Sequence, residues 1–379
     1  METIFLYRSC HVMRSVGTAA ADKAQLACHA ISQAVRVARN SACPSAVWLS
    51  RVMPDLLHAP ATARARPFVF FNVGANKGFA VSSMLQRFGS AHFTGVDWLR
   101  AFQTYRRAMN ISQRGSDELC GACCACIERP PCATENASMK LQIHAFELLE
   151  ENVQWLRVAL NRFGVHGVHL VHAAVSNESG STFAQRARPG TESVSVQLSR
   201  PPALHPAQDA SSVAPRKIDR IKLSDYVNKH GINHVDFMSI DTEGSDALVL
   251  EGARALLIAA RVSVLEFEYH HVSFWGSSHP ERRLLSSTIA WLDNISYSCF
   301  WQGRSGCAVP VSGKCWSSDF EIQRWSNLVC AHRRHDAFST LREIANSCKQ
   351  SPTTFSEPVD AAALNALHGT TYVNHRCRA

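Results

Sequence analysis

Short apolar runs recur along the chain, and hydrophobic repeats with helical spacing lie between them. Residues 68–73 (FVFFNV) are rich in aromatic and β-branched side chains and predict a buried parallel strand. Gly74 and Gly78 follow in a short turn. Four apolar residues then repeat at helical spacing and predict a helix: Val81, Met84, Leu85 and Phe88. This strand, glycine turn and helix predict the first unit of an α/β fold, whose turn lies at the ligand-binding edge of the sheet.

Two further apolar runs end in carboxylates. Residues 143–147 end in Glu147, and residues 235–240 are followed by Asp241 and Glu243. The carboxyl ends of parallel strands meet at one edge of the sheet, so these acids are expected near the glycine turn. An acid at the end of the second strand of such a sheet binds ribose hydroxyls, which predicts that role for Glu147.

The spacing of the glycines argues against two common kinds of nucleotide-binding site. Gly74 and Gly78 form G-x-x-x-G rather than the dinucleotide fingerprint G-x-G-x-x-G, and no G-K-[ST] follows as in a phosphate loop. A nicotinamide-dependent oxidoreductase is therefore disfavoured but stays as an alternative.

Five blocks follow one another along the chain: residues 71–78 (FNVGANKG), 143–147 (IHAFE), 223–227 (LSDYV), 235–244 (VDFMSIDTEG) and 264–270 (VLEFEYH). In this order they resemble the FkbM family of S-adenosylmethionine-dependent methyltransferases. The resemblance spans about residues 68–330. It implies an α/β fold with a Rossmann-like class I methyltransferase sheet, mostly parallel with a terminal antiparallel strand, and helices on both faces. It also implies S-adenosyl-L-methionine as cofactor and O-methylation of a saccharide or hydroxylated small molecule.

The resemblance assigns cofactor contacts to nine residues: Asn72, Gly74, Ala75, Asn76, Gly78, Glu147, Ala173, Ala174 and Asp241. Ala173 and Ala174 end a predicted strand over residues 168–175, where the family holds the adenine. Family members often have aspartate at position 72, so a non-catalytic protein that retains the fold is a further alternative. An asparagine carbonyl oxygen can still accept a hydrogen bond there.

Three residues are candidates for the chemistry of methyl transfer. Asp241 is expected to contact the cofactor or the acceptor, and Glu243 to bind the acceptor or act as general base. His270, at the end of the next strand, is the rival base. A purely structural alternative is that Asp241 caps the following helix and Glu243 favours its positive end.

The resemblance implies a catalytic domain over residues 67–335, interrupted by an insertion at residues 89–140. Cys120, Cys123, Cys126 and Cys132 in this insertion have spacing that suits structural zinc, with Cys124 as another fourth ligand. A disulfide-linked surface loop explains the same cysteines equally well. A serine- and proline-rich loop at residues 180–215 is a candidate substrate lid.

The outer parts of the chain are less informative. Residues 1–66 have the acid-poor composition of an organellar transit peptide, while their alanine and valine spacing also fits a packed helix. Residues 296–301 and 326–332 predict a terminal strand pair, and residues 336–379 form a tail without an assigned role. The formal net charge is +8, but no basic run interleaved with aromatics suggests a nucleic-acid partner, and no apolar run predicts a membrane span.

Overall fold

An eight-stranded sheet forms the centre of the molecule. The computed structural model describes residues 27–39, 46–57, 66–88, 91–111, 140–184, 186–191, 196–197, 215–303 and 306–349. The described strands are β1 (Phe68–Val73), β2 (Leu141–Glu147), β3 (Val168–His172), β4 (Ala174–Val175), β5 (Gly180–Ala184), β6 (Val196–Gln197), β7 (Arg216–Ile221), β8 (Val235–Ile240), β9 (Val262–Tyr269), β10 (Tyr297–Gln302), β11 (Ala308–Pro310) and β12 (Ser326–His332).

The order across the central sheet is β3-β2-β1-β8-β9-β12-β10-β11. Its first five strands run parallel, and β12, β10 and β11 continue it through antiparallel pairings. The order reverses between β1 and β8, since β2 and β3 extend the sheet in one direction and β8 and β9 in the other. The protein is therefore an α/β fold with a mostly parallel central sheet.

Helices cover both faces of this sheet. They are α1 (Ile31–Arg39), α2 (Val47–Leu57), α3 (Phe79–Arg87), α4 (Gly95–Ala108), α5 (Glu150–Arg162), α6 (Leu223–Lys229), α7 (Asp246–Gly252), α8 (Arg254–Ile258), α9 (Leu285–Asn294) and α10 (Asp336–Lys349). Alternate residues of β1 divide the core, because successive strand side chains point to opposite faces. Phe68 and Phe70 pack with α2, α3, α4, α5 and α10, whereas Val69 and Phe71 pack with α1, α6, α7, α8 and α9.

Several elements differ from the sequence-based expectations. The predicted strand over residues 168–175 divides at Ala173 into β3, in the central sheet, and β4, in a second sheet of order β4-β7-β5-β6. The expected loop over residues 180–215 therefore contains β5 and β6. The helical segment that follows β8 is interrupted at Ala253 and forms α7 and α8. The antiparallel part of the central sheet includes the predicted pair, β10 and β12, and adds β11 at the edge.

The insertion expected over residues 89–140 contains an ordered element of the core. Helix α4 begins at a capping box in which Thr94 and Asp97 bond each other's backbone N–H, and it buries Trp98 and Phe102. Residues 112–139 lie outside the described ranges. The zinc prediction for Cys120, Cys123, Cys126 and Cys132 falls there and stays a prediction.

The segments flanking the predicted domain pack against it. In α1, Val35 and Ala38 join the core beneath β9 and β10, as the helical interpretation of this segment expects. Helix α10, within the tail that had no assigned role, packs against α2 and β11. Three disulfides lie in the described residues: Cys28–Cys315, Cys299–Cys330 and Cys307–Cys348. None of the helices in the described ranges has the length and apolar character needed to cross a membrane.

Candidate functional site

The glycine turn after β1 is pressed against the end of β8. Gly74 has φ +88°, and a Cβ at this position would lie 1.8 Å from the backbone oxygen of Asp241. The N–H groups of Gly74 and Ala75 both donate to the Phe146 carbonyl, at 3.0 and 2.9 Å. The turn is therefore held between β2 and β8, at the point where the strand order reverses. Only glycine fits at position 74 without moving the backbone.

The far end of the turn is fixed by two tryptophans. The carbonyl oxygen of Lys77 accepts hydrogen bonds from the indole N–H of Trp98, at 2.8 Å, and of Trp155, at 2.9 Å. Gly78 has φ +82°, and a Cβ there would lie 2.4 Å from a methyl carbon of Leu156. Gly78 thus allows close packing of the turn on α5.

An open cavity of about 830 Å³ lies beside the turn, at the carboxyl ends of β1, β2 and β8. One part of its wall is apolar, with Phe146, Leu148, Ala173, Ala174 and Val175 among the lining residues. The remaining wall is polar. Its polar and glycine members are Gly74, Asn76, Glu147, Asn152, Ser176, Thr191, Asp241, Thr242, Glu243 and Ser245.

Glu147 is the centre of a hydrogen-bond network on this wall. Its carboxylate accepts the backbone N–H of Asn76 at 2.6 Å and of Leu149 at 2.8 Å, and the side-chain amide of Asn152 at 3.3 Å. The Asn152 carbonyl oxygen in turn accepts the N–H of Gly190 at 2.7 Å. Burial raises the pKa of the Glu147 carboxyl, and these hydrogen bonds oppose that rise. The network joins the glycine turn, β2, α5 and the segment that carries Thr191.

Buried acids gather on the opposite side of the cavity. Asp246 accepts hydrogen bonds from the Thr242 hydroxyl and the Glu268 N–H, both at 3.0 Å. Burial, and then the charge of Asp241, raise the pKa of Asp246 to about 7. Burial also raises the pKa of Glu268 well above its ordinary value, and Asp241, Glu243 and Asp246 add to that rise. These acids therefore disfavour each other's charged forms, and a cation placed among them would relieve that repulsion.

His270 lies beneath this group of acids. Its Nδ1 accepts the N–H of Val272 at 3.0 Å, and its Nε2 is 3.1 Å from a carboxylate oxygen of Glu268. Burial lowers the pKa of His270 to about 4, with a smaller contribution from His271. The imidazole is therefore neutral at physiological pH, and the hydrogen bond at Nδ1 leaves its proton on Nε2.

One family model matches part of the chain. Residues 120–291 match the family model of the methyltransferase FkbM domain. The match confirms the resemblance seen in the sequence and supports a methyltransferase at the level of the family. The matched range contains β2, β8 and β9 with their acids, whereas β1 and its glycine turn precede that range. No curated protein gives a significant match to the chain.

The structure brings most of the predicted site residues to one cavity. The predicted residues that line it are Gly74, Asn76, Glu147, Ala173, Ala174, Asp241 and Glu243. Four others lie outside the lining: Asn72, Ala75, Gly78 and His270. Asn72 is buried within β1 between Ala145 and Ser239, and its side-chain oxygen has no hydrogen-bond partner among the described residues.

The capping alternative for Asp241 is wrong. Helix α7 begins at Asp246, and Ser245 is its N-cap residue, so Asp241 lies four residues too early to cap it. Glu243 has φ +52° in the loop before the helix. Both acids therefore line the cavity in the segment between β8 and α7.

Several residues of the site carry no strong signal in the sequence. Asn152 and Thr191 reach the cavity through the Glu147 network, and Glu268 reaches the acidic group from within β9. Asn152 follows Glu147 by only five residues, and this short separation is the one local signal that could have placed it beside Glu147. The position of Glu268 depends on the pairing of β9 with β8, which no local pattern reveals.

Proposed function

We propose that the cavity binds S-adenosyl-L-methionine and that the protein transfers its methyl group to an acceptor hydroxyl, on a saccharide or another hydroxylated small molecule. The observation that carries the proposal is the position of Glu147, at the end of β2 beside the glycine turn. The strand order β3-β2-β1-β8-β9 supports a Rossmann-like class I sheet, in which ligands bind where the order reverses.

The cavity wall suits the parts of this cofactor. Glu147 faces the cavity where a ribose would lie, and three protein donors already use most of the roughly four acceptor sites of a carboxylate. We therefore assign it one ribose hydroxyl rather than both. The apolar wall at Ala173, Ala174 and Val175 suits an adenine ring. Asp241, on the acidic side, suits the cationic sulfonium and ammonium groups.

Once bound, S-adenosyl-L-methionine would supply an activated methyl group for an acceptor oxygen and would leave as S-adenosylhomocysteine. Glu243 would accept the proton that the acceptor hydroxyl loses. The protein contributes chiefly alignment of the reacting atoms, since the cofactor supplies the reactive group. Of the two rival acceptor-side residues, Glu243 lines the cavity and His270 does not, so we assign contact with the acceptor to Glu243.

Calorimetric binding of S-adenosylhomocysteine and of NAD⁺ to the full chain tests the cofactor. We expect one S-adenosylhomocysteine per chain and much weaker NAD⁺ binding. Glu147→Gln, which keeps an oxygen acceptor but removes the charge, should weaken S-adenosylhomocysteine binding at least about tenfold, or 1.4 kcal/mol. Glu343→Gln, at an exposed acid of α10, is the matched control.

The outcomes separate the competing functions. Tighter binding of NAD⁺ would favour an oxidoreductase, and binding of neither ligand would favour a non-catalytic protein. Unchanged affinity in a folded Glu147→Gln variant would leave the methyltransferase class intact but overturn the ribose assignment.

A further inference from the structure

Three side chains next to the cavity come together in the geometry of a cation site. Glu243 precedes α7, Glu268 lies in β9, and His270 directly follows that strand. One ligand atom from each lies within 4.8 Å of the other two. Two carboxylate oxygens and an imidazole nitrogen are a common donor set for divalent cations.

The two inner ligands are buried and aimed at the same space. Glu268 is 7% exposed and His270 is 4% exposed. One Glu268 oxygen accepts the indole N–H of Trp325, and His270 Nδ1 accepts the N–H of Val272. The other Glu268 oxygen and His270 Nε2 approach to 3.1 Å but are not aligned for a hydrogen bond, and neither has another hydrogen-bond partner among the described residues.

Burying these two atoms without hydrogen bonds lowers the stability of the fold unless a bound group occupies the space between them. A buried polar atom without a hydrogen bond loses its hydration without compensation. The charges of Asp241 and Asp246 act on Glu268 as well, so the surroundings repel further negative charge and attract a cation.

We propose that Glu243, Glu268 and His270 bind a divalent cation. The mixed donor set favours Mn²⁺ or Zn²⁺ over Mg²⁺, because the carboxylates suit Mn²⁺, the imidazole suits Zn²⁺, and Mg²⁺ prefers oxygen ligands alone. Coordination by Nε2 requires the neutral ring to carry its proton on Nδ1, so the contact with the Val272 N–H is exchanged for the bond to the cation. The site is separate from the cysteines of the insertion.

The position of the proposed cation site points to a role for the cation in binding the acceptor. Glu243 belongs both to the cation cluster and to the cavity wall, so the cation lies where the cavity ends. An acceptor hydroxyl entering from the cavity can fill a remaining coordination position. Binding of the cation does not depend on the proposed methyl transfer, whereas this contact with the acceptor rests on it.

Titration of the chelator-treated full chain with Mn²⁺, followed by the electron paramagnetic resonance signal of free Mn²⁺, tests the site. We expect about one tight site per chain. Glu268→Gln and His270→Gln should each weaken binding at least about tenfold, since even residues that only support metal ligands contribute that much. Glu343→Gln should bind as the unsubstituted protein does. Mn²⁺ is the probe because thiolates favour softer metals, which limits binding at the cysteines.

Thermal unfolding with and without Mn²⁺ shows whether each variant is folded and whether Mn²⁺ stabilises it. Ligand binding to the native state raises the melting temperature, so the unsubstituted protein should gain stability with Mn²⁺ and the two variants should not. Absence of stoichiometric Mn²⁺ binding would overturn the proposal and leave Glu268 and His270 as a buried carboxylate–imidazole pair. Undiminished affinity in folded Glu268→Gln and His270→Gln would also overturn it, because the cation would then bind elsewhere. Neither result bears on S-adenosylhomocysteine binding.

Discussion

Gly74 marks the closest approach between the glycine turn and β8. Its substitution by alanine would place a methyl group 1.8 Å from the Asp241 carbonyl oxygen, in addition to the strain of φ +88°. We expect Gly74→Ala to lower the free energy of unfolding by about 3–5 kcal/mol, from strain and overpacking together, and to abolish ligand binding. Denaturant unfolding measures the loss.

Gly164 provides the matched control for this substitution. It also has a positive φ, +61°, but no atom lies within 4 Å of its Cβ position. Gly164→Ala should therefore cost only the conformational strain, about 1 kcal/mol. Equal losses in the two variants would show that the approach to β8 is not what requires glycine at position 74.

Asp246 predicts a pH dependence of stability. Its folded-state pKa of about 7 lies above its ordinary value of 3.8, so the folded protein binds more protons than the unfolded chain between these pH values. The free energy of unfolding should consequently fall as pH rises from about 4 to 7, by about 1.4 kcal/mol for each pH unit fully within the window.

Asp246→Asn removes this titration and keeps an oxygen acceptor for the Glu268 N–H. The Thr242 hydroxyl, which donates to the other carboxylate oxygen, can instead accept from the new amide group. Relative to this variant, the unsubstituted protein should lose stability as pH increases, as urea unfolding at several pH values can show. Asp225→Asn, at an exposed residue of α6, should leave the profile unchanged. If the free energy of unfolding changes with pH in the same way in Asp246→Asn and in the unsubstituted protein, the raised pKa is contradicted.

At the scale of elements, α4 and α5 act together on the glycine turn. Trp98 of α4 and Trp155 of α5 donate to the same Lys77 carbonyl. Each replacement by phenylalanine removes one hydrogen bond, worth about 1 kcal/mol. Removing both leaves the buried carbonyl without either donor. The double variant should therefore lose more free energy of unfolding than the two single variants together, by roughly 0.5–1 kcal/mol.

A double-mutant cycle in denaturant measures this coupling. Phe102→Leu, in the same aromatic cluster but without a donor, controls for changes in packing alone. A strictly additive cycle would mean that the two bonds are independent.

The elements predictable from sequence are those with a strong local pattern. β1, β2 and β8 are apolar runs whose ends carry glycine or acids, so both the strands and the meeting of Gly74, Glu147 and Asp241 could be predicted. Helix α4 has Trp98 and Phe102 at helical spacing, but it lies within the insertion that was expected at residues 89–140. His270 was expected at the open strand edge. The turn around Ser273, with φ +50°, instead follows it and leaves it buried.

At the scale of the whole molecule, disulfides attach the flanking segments to the domain. Cys28–Cys315 joins the segment before α1 to the loop after β11, across 287 positions of the sequence, and Cys307–Cys348 joins the region before β11 to α10. Because such bonds persist mainly in oxidising compartments, we expect the chain to fold in one.

The first of these bonds can be removed selectively. Cys28→Ser with Cys315→Ser should lower the free energy of unfolding by about 2–4 kcal/mol, because the unfolded chain regains freedom over a long loop. The reduced unsubstituted protein, which loses all three described bonds, should be less stable still. Peptide mapping without reductant should recover residues 28 and 315 in joined peptides, and their recovery as free thiols from protein made in an oxidising compartment would contradict the pairing.

The central position of β1 has a consequence for synthesis on the ribosome. Val69 in β1 donates its N–H to Asp236 in β8, a residue that follows it by 167 positions. At about 5–20 residues per second, translation takes roughly ten to thirty seconds to cover this interval, during which one edge of β1 lacks its partner strand. The part of the cavity wall that carries Asp241 and Glu243 is missing until β8 and the segment after it have emerged. A ligand of the complete cavity can therefore assist the nascent chain only after this late stage.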